Sequence, residues 1–411
     1  MRKAIDSPFS PGADAVPQVW AGRTAHLSDW RDVLRPRRSV GMVERGRTVL
    51  GEAGTGKSAL VRRIAAEAGG GGDWVTPQLR IPSGTDPLRR VASALVELAE
   101  GAGLATARER RIAGVLRRVE AVAVSGVSVS VRPGEVPEAH TALTDLLVEL
   151  GRAAMTEERV VVLHLDEVQN ISSDAVLSQV LIALGDALAH EVEVSAPGGV
   201  QVRRGLPLVV YLTGLPEFAD MAGGRTGATF ARRFQTTTLG ALDDDDVRQA
   251  LQVFLTQGWE VADDEGGVEP VTMTPQACEA IVARACGEPF LFQLAGAQAW
   301  YAGAGNVITA EDVERGWAQV ADEAETHVCK ILDRLPERER QFVDVMAGLE
   351  PQERTLTRIA EGMGLARAAS AGPTSQRLDV VRGIVRRGPR YGFRHRAVEA
   401  YLTTSWPRLG H

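Results

Sequence analysis

The chain has 411 residues, 44% of them hydrophobic and 24% charged, with a net charge of −7. The length suggests two or three domains, and the composition excludes a disordered or fibrous protein. The longest apolar runs, "VVVLHL" and "LPLVVYL", fall far short of the roughly 18 residues a membrane span needs. No membrane association is expected. The first twenty residues contain no apolar signal core. Three cysteines, Cys278, Cys286 and Cys329, lack metal-ligand spacing and read as free thiols of a reducing cytoplasm.

In chain order, residues 1–19 are rich in Pro, Gly and Ala and read as an extended arm. Leu27, Trp30 and Leu34 then fall at helical spacing. "RTVL" is a short β-type run entering a glycine-rich stretch, and "KSALVRRIAAEA" is a helix that stops at Gly69–Gly72. "WVTPQLRI" reads as β. "DPLRRVASALVELAE" reads as a helix capped by Asp86 with Pro87 at its first position. "VAVSGVSVSV" alternates like a hairpin, and "EAHTALTDLLVELGRAAM" is helical. "RVVVLHLDE" is an unbroken apolar run ending in two acids. The long helix "SSDAVLSQVLIALGDALAHE" and a further buried strand, "LPLVVYLTG", follow. Strands without polar alternation, separated by helices, imply a parallel sheet covered on both faces. After about residue 241 the strands fade. "DDDDVRQALQVFL", "TPQACEAIVARAC" and "PFLFQLAGAQAWYA" suggest a small helical second domain. From about 330 come three more helices, "LPERERQFVDVMAGL", "LTRIAEGMGL" and "PTSQRLDVVRGIVRRG", and a β-type piece, "RYGFRHR".

Three stretches carry chemistry. Gly51, Gly56, Lys57 and Ser58 fit G-x-x-x-x-G-K-[ST] between a predicted strand and a predicted helix, the context of a P-loop. Glycines let successive N–H groups face one phosphate chain, and the helix adds its positive N-terminal end. The chain has only three lysines, Lys3, Lys57 and Lys330, and otherwise uses Arg. A lysine at this position therefore points to a demand for a compact point charge reaching β- and γ-phosphate oxygens. Ser58 would ligate Mg²⁺. The second stretch is Asp166 and Glu167, at the carboxyl end of a buried strand, where α/β sheets bind ligands. Asp166 would hold Mg²⁺ and Glu167 would orient or deprotonate an attacking water. The alternative is an acid pair capping the next helix. The third is Thr213, which ends the next strand, where its hydroxyl could contact the γ-phosphate or the water. His164, inside the apolar run, is read as a histidine of the core or one supporting the site from behind. The "DDDD" at 243–246 is read as complementing a helix dipole rather than binding a cation.

This order of motifs resembles the AAA+ ATPases, and more narrowly the branch containing the STAND signalling ATPases and the origin-recognition-type initiators. The resemblance spans about residues 17–411. It implies an α/β P-loop NTPase domain (a parallel sheet with helices on both faces) with an α-helical lid and a C-terminal winged helix. Residues 1–19 would be an arm, 20–241 the nucleotide-binding domain, 242–326 the lid and 327–411 the winged helix-turn-helix. "WAGRTAHLSDW" looks like the family's G-R box, with Gly22 and Arg23 near the adenine and ribose. "GEAGTGKSA" (Gly51, Glu52, Ala53, Gly54, Thr55, Gly56, Lys57, Ser58, Ala59) looks like Walker A, "LHLDE" like Walker B and Thr213 like sensor 1. "FARRF" looks like the segment carrying an arginine finger, so Arg232 or Arg233 is the candidate, against a reading as a surface pair. "CGEPFLFQLAG" resembles the lid's G-x-P signature, with Pro289 packing near the base. No sensor 2 arginine stands on that lid helix, and Arg284 is the nearest. The cofactors implied are ATP and Mg²⁺, and a homo-oligomer is implied as the assembly.

From Lys330 to His411 there are 15 Lys and Arg against nine Asp and Glu, a balance of +6 that leaves −13 on the remaining 329 residues. Between Arg367 and Arg396 eight arginines face one acid, Asp379. Arg377, Arg382 and Arg386 fall near one helical face of the expected reading helix, and Arg390, Arg394 and Arg396 on the expected wing. Two function classes stay open. One is a nucleotide-switched ATPase assembling on duplex DNA. The other is a signalling scaffold whose ATP state controls assembly with a partner protein, its winged helix not touching DNA.

Overall fold

The computed structural model describes residues 2–12, 15–104, 139–195, 199–223, 232–262 and 267–408. The hairpin expected at "VAVSGVSVSV" lies outside these. The chain divides into two units, one of residues 24–50 and 60–237, the other of residues 1–23, 51–59 and 238–411. No helix among the described residues is long and apolar enough to cross a membrane.

The unit of residues 24–50 and 60–237 is built on a six-stranded sheet. Two short helices, α1 (Thr24–Ser28) and α2 (Arg35–Ser39), precede β1 (Gly46–Leu50). Then come α3 (Lys57–Gly70), β2 (Trp74–Val75), β3 (Leu79–Arg80), α4 (Pro87–Gly101), α5 (Ala139–Thr156), β4 (Val161–Asp166) and α6 (Asp174–Ala189). A separate antiparallel ribbon of β5 (Glu191–Ser195) and β6 (Gln201–Gly205) precedes β7 (Leu208–Gly214), α7 (Phe218–Gly223) and β8 (Phe234–Thr238). The strand order is β2-β4-β7-β1-β8, with β3 also on β4. β2 and β3 run parallel to β4, β4 to β7, and β7 to β1.

Every residue of β1, β4 and β7 is buried. Val161, Leu163, Leu165, Leu208, Val210 and Leu212 face one core, with Leu143, Leu146 and Leu150 of α5 and Val180, Leu181 and Leu184 of α6. The alternate residues Val162, His164, Asp166, Val209, Tyr211 and Thr213 point to the other face and are buried as well. Asp86 caps α4 through Leu88 N–H at 3.0 Å, as the sequence suggested. The ribbon β5–β6 was not foreseen. Its first strand, "EVEVS", does alternate but follows directly on a helical run, and its second, "QVRRG", is exposed and lacks alternation. Arg38 is fully buried and donates to the carbonyls of Leu188 (3.0 Å), Leu206 (3.2 Å) and Glu44. Burial lowers its guanidinium to about 10, and it stays charged.

The other unit carries the loop Gly51–Ala59 and a largely helical C-terminal region. α8 (Asp244–Thr256), α9 (Pro275–Ala285), α10 (Pro289–Ala302) and the 24-residue α11 (Ala310–Asp333) share one core. A capping box between Thr309 and Asp312 starts α11. Strands do not end at residue 241. β9 (Trp259–Ala262), β10 (Val268–Met273) and β11 (Val307–Ile308) form a small sheet in the order β11-β10-β9. β9 and β10 are half-exposed and β10 carries Pro270, so no clear period marked them. The N-terminal arm is tied down. Phe9 stacks on Phe254 with ring centroids 5.7 Å apart and meets Phe292 edge-on at 6.1 Å. A Cβ on Gly296 would stand 2.3 Å from the Phe9 ring, so this helical glycine makes the seat.

The last segment holds α12 (Glu337–Ala347), α13 (Leu356–Gly362), α14 (Gly372–Gln376), the antiparallel pair β12 (Val385–Arg386) and β13 (Gly392–Phe393), and α15 (Arg396–Thr403). The expected single helix over 373–388 is shorter. Helical backbone ends at Val381, Gly383 turns left-handed at φ +68°, and Val385 pairs with Phe393. Arg386 therefore sits on a strand, not on the helix face with Arg377 and Arg382.

Candidate functional site

In the loop that follows β1, Gly54 and Gly56 have φ of +84° and +81°, a region open to glycine at little cost. A Cβ on Gly54 would also stand 2.4 Å from the ring of His327. Lys57 opens α3 and is 9% exposed. Its ammonium donates to the carbonyls of Gly51 and Glu52, both at 2.8 Å. Thr55 Oγ1 donates to Glu52 O at 2.8 Å, closing the loop on itself. The Glu52 carboxylate is buried and pairs with Arg334. Ala53 completes the loop, and Ser58 and Ala59 lie in the first turn of α3.

Around it, in the same unit, Arg23 donates to Thr55 O (3.0 Å) and Gly240 O (2.8 Å). Gly22 and Arg23 both have positive φ, 61° and 63°. For Arg23 this is strain of order 1 kcal/mol, of the kind that persists where structure over-determines it. Burial pulls the Arg23 guanidinium below its ordinary value, against Glu288 and Asp246. Pro289 Cβ stands 3.6 Å from where a Cβ of Gly56 would be, and Phe290 N–H donates to Gly54 O at 3.2 Å. The G-x-P stretch thus meets the phosphate-loop motif directly. Gly287 is needed there because a Cβ would reach Leu242 O at 2.7 Å. A cavity of about 340 Å³ is lined by Glu52, Thr55, Thr238–Ala241, Glu288, Asp379–Val380, Arg382–Gly383 and Arg394–His395. Glu288 is 1% exposed, and its Oε2 has no hydrogen-bond partner among the described residues. Its Oε1 lies 3.3 Å from His395 Nε2. Glu288, Arg334 and His395 went unnoticed in the sequence, where a lone Glu, Arg or His carries no signal.

In the other unit, the carboxyl ends of β4 and β7 bring His164, Asp166 and Thr213 together. The register pairs His164 with Tyr211 and Leu165 with Leu212, so Asp166 comes level with Thr213 on the same face. Thr213 Oγ1 donates to Asp166 Oδ1 at 2.5 Å and lies 2.8 Å from His164 Nε2. Asp166 also accepts from Glu167 N–H at 2.9 Å and from the Gln78 amide. Gln78 was passed over because it sits inside a β-type run. Burial pushes the His164 imidazole down to about 4, against the pull of Asp166. Glu167 stands in left-handed backbone at φ 60°, half-buried, and accepts from Gln169. No side-chain cap bond from Glu167 to the short turn after it is present, which weighs against the capping alternative. Thr213 is wholly buried and its proton is taken by Asp166, which corrects the expectation that its hydroxyl touches the γ-phosphate or water.

Arg232 is exposed in the turn before β8, and Arg233 pairs with Asp186 of α6. Of the six tail arginines, Arg382 is 5% exposed and bonded to Glu339 at 3.0 Å, which corrects its assignment to phosphate contact. Arg377 bonds to the same carboxylate at 2.8 Å, Arg394 to Asp379 at 2.6 Å and Arg396 to Asp244 at 2.6 Å. Arg386 and Arg390 are exposed, as is Arg387 between them. Among the described residues there is no cluster of three or more His, Cys, Asp or Glu able to hold a metal ion.

Residues 19–194 match the family model described as the AAA ATPase domain. This domain and the sheet order are accompanied by likeness to solved structures. The Aeropyrum pernix ORC2 protein, in its ADPNP–ADP complexes, is 14% identical, with 95% of this chain and 96% of that chain covered and a TM-score of 0.54. The Walker-type ATPase of Pyrococcus abyssi is also 14% identical, with 87% and 90% covered and a TM-score of 0.52. Both show the fold, a parallel-sheet AAA+ P-loop fold with a helical C-terminal region. No curated protein matches the chain.

Proposed function

We propose that this chain is an ATP-binding and ATP-hydrolysing AAA+ switch that oligomerises and acts with duplex DNA. The observation that carries the reading is Lys57, a buried ammonium in a glycine loop opening a helix, bonded to that loop's own carbonyls at 2.8 Å. Phosphate oxygens would replace those carbonyls as its acceptors, alongside the loop's N–H groups. Gly22, Arg23 and Pro289 would flank the nucleoside. Ser58 in one unit and Asp166 in the other are each candidate oxygen ligands for Mg²⁺, an ion that keeps water and phosphate in its shell. Mg²⁺ would neutralise charge developing on the phosphates. Glu167, next along the chain from Asp166, would orient the attacking water and take its proton.

Arg232 is the better finger candidate, because it is exposed while Arg233 is engaged with Asp186. A finger supplied by a neighbouring copy requires self-association. Residues 337–403, with three helices, a two-stranded hairpin and a final helix, are read as a winged helix whose wing carries Arg386, Arg387 and Arg390. These exposed guanidinium groups suit phosphate contact. The competing reading, a signalling scaffold assembling with a partner protein, is favoured by the engagement of Arg377, Arg382, Arg394 and Arg396 in ion pairs.

The test is ATP turnover and duplex-DNA binding by the full chain across salt, with and without ATP and Mg²⁺, together with sedimentation. Turnover, ATP-promoted self-association and salt-sensitive binding are expected. Absence of DNA binding at low salt would transfer the reading to the scaffold. Absence of nucleotide binding would end it.

A further inference from the structure

His164 has no place in the proposal above, yet it is 2% exposed, lies two residues before Asp166 on the same strand face, and touches Thr213. The protons of this group follow from its distances. Thr213 Oγ1 and Asp166 Oδ1 are 2.5 Å apart, too close for two bare oxygens, so a proton lies between them. Asp166, as a carboxylate, has none to give, so the proton is that of the Thr213 hydroxyl. Thr213 has no second proton. Its contact with His164 Nε2 at 2.8 Å must therefore run the other way, with Nε2–H donating to Oγ1.

We infer that His164 is a positioning residue for the metal-binding carboxylate, donating through Nε2–H to Thr213 and so committing the Thr213 proton to Asp166 Oδ1. This rests on the ATPase reading. Without the imidazole, Thr213 could turn its hydroxyl to the Leu165 carbonyl, 3.4 Å away, and release Asp166. Asp166 would then lose the Thr213 donor while keeping, among others, Glu167 N–H on Oδ1 and the Gln78 amide on its other oxygen, so one donor fewer would set its carboxylate plane. The chain would still bind nucleotide through Gly51–Ala59, but it would hold Mg²⁺ less well.

The experiment has two arms, both on the full chain. In the first, ¹⁵N NMR of histidine-labelled protein identifies His164 as the resonance missing from His164→Gln. An Nε2–H signal that moves in Thr213→Val is expected, and an Nδ1–H tautomer would overturn the inference. In the second, ATP turnover is followed against Mg²⁺ concentration. His164→Leu and Thr213→Val should each raise the half-saturating Mg²⁺ about tenfold, the scale of one lost hydrogen bond in a charged network. The double variant should be no worse than either alone. His164→Gln, whose amide can donate from a similar position, should recover most of the loss. A wild-type Mg²⁺ requirement in His164→Leu, or a Gln variant no better than Leu, would overturn it. If His164→Leu does not fold, as its melting curve would reveal, Thr213→Val against Thr213→Ser carries the arm. Wild-type protein that binds no ATP would end the nucleotide reading instead, and the NMR arm would still decide the His164–Thr213 bond.

Discussion

Lys57 and Asp166 are both charged and nearly out of water, at 9% and 2% exposure, and they are held there by different means. Lys57 is bonded to carbonyls five and six residues away in its own loop. Asp166 is bonded to a hydroxyl 47 residues along the chain and an amide 88 residues back. These bonds depend on local backbone conformation in the first case and on strand register in the second. Exchange of the loop's carbonyls for a ligand, as proposed, would be a change within the loop. The strand-end carboxylate is fixed before any ligand arrives.

The sharpest way to break this comparison is Lys57→Ala. The variant should lose ATP affinity by about 100-fold or more, the scale of two charge-assisted hydrogen bonds. Its melting temperature should stay near wild type, because the carbonyls of Gly51 and Glu52 that it bonds belong to the loop rather than to a core. Isothermal titration with a melting curve checks both, and a large drop in melting temperature would make the lysine structural.

Glu167→Gln should keep ATP binding and slow turnover by about 10²–10⁴-fold, the range for a lost general base. Turnover at the wild-type rate would return Glu167 to a structural role.

In the C-terminal segment, Glu339→Ala should cost about 3–5 kcal/mol in urea melting, since Arg382 would be left buried without its carboxylate. An exposed pair of the same length would cost below about 1 kcal/mol.

A pH series tests the helical unit. Burial holds His327 down at about 4, beneath its ordinary 6.5. Between these values the unfolded chain binds more protons, so stability falls as pH drops from about 6.5 toward 4. At pH 5 the loss is on the order of 2 kcal/mol relative to pH 7. His327→Phe should flatten that part of the stability curve.

The smallest effects belong to the β12–β13 hairpin. Replacing Arg386, Arg387 and Arg390 with Ala should weaken duplex binding evenly across sequences and flatten the salt slope by about one per lost contact. Fluorescence anisotropy at several salt concentrations measures it. A loss confined to one DNA sequence would mean base reading instead.

The amino-acid sequence by itself determined the elements whose signals are local. The glycines and lysine of 51–58, the apolar runs of β4 and β7, and the Asp86 and Pro87 start of α4 each report a backbone conformation or a burial within a few residues. The acid pair at 166–167 was legible because it ends such a run. The tertiary structure alone decided which side chains meet. Arg382 looks like a free cation until Glu339, 43 residues earlier, is found against it. The strands β9 and β10 are half-exposed, so no period marked them. The roles of Gln78, His164 and Thr213 depend on pairing register, because one residue of slip would turn Thr213 to the opposite face of the sheet. Contacts between positions far apart in the chain leave no pattern in either segment alone, and the network around Asp166 is made of such contacts.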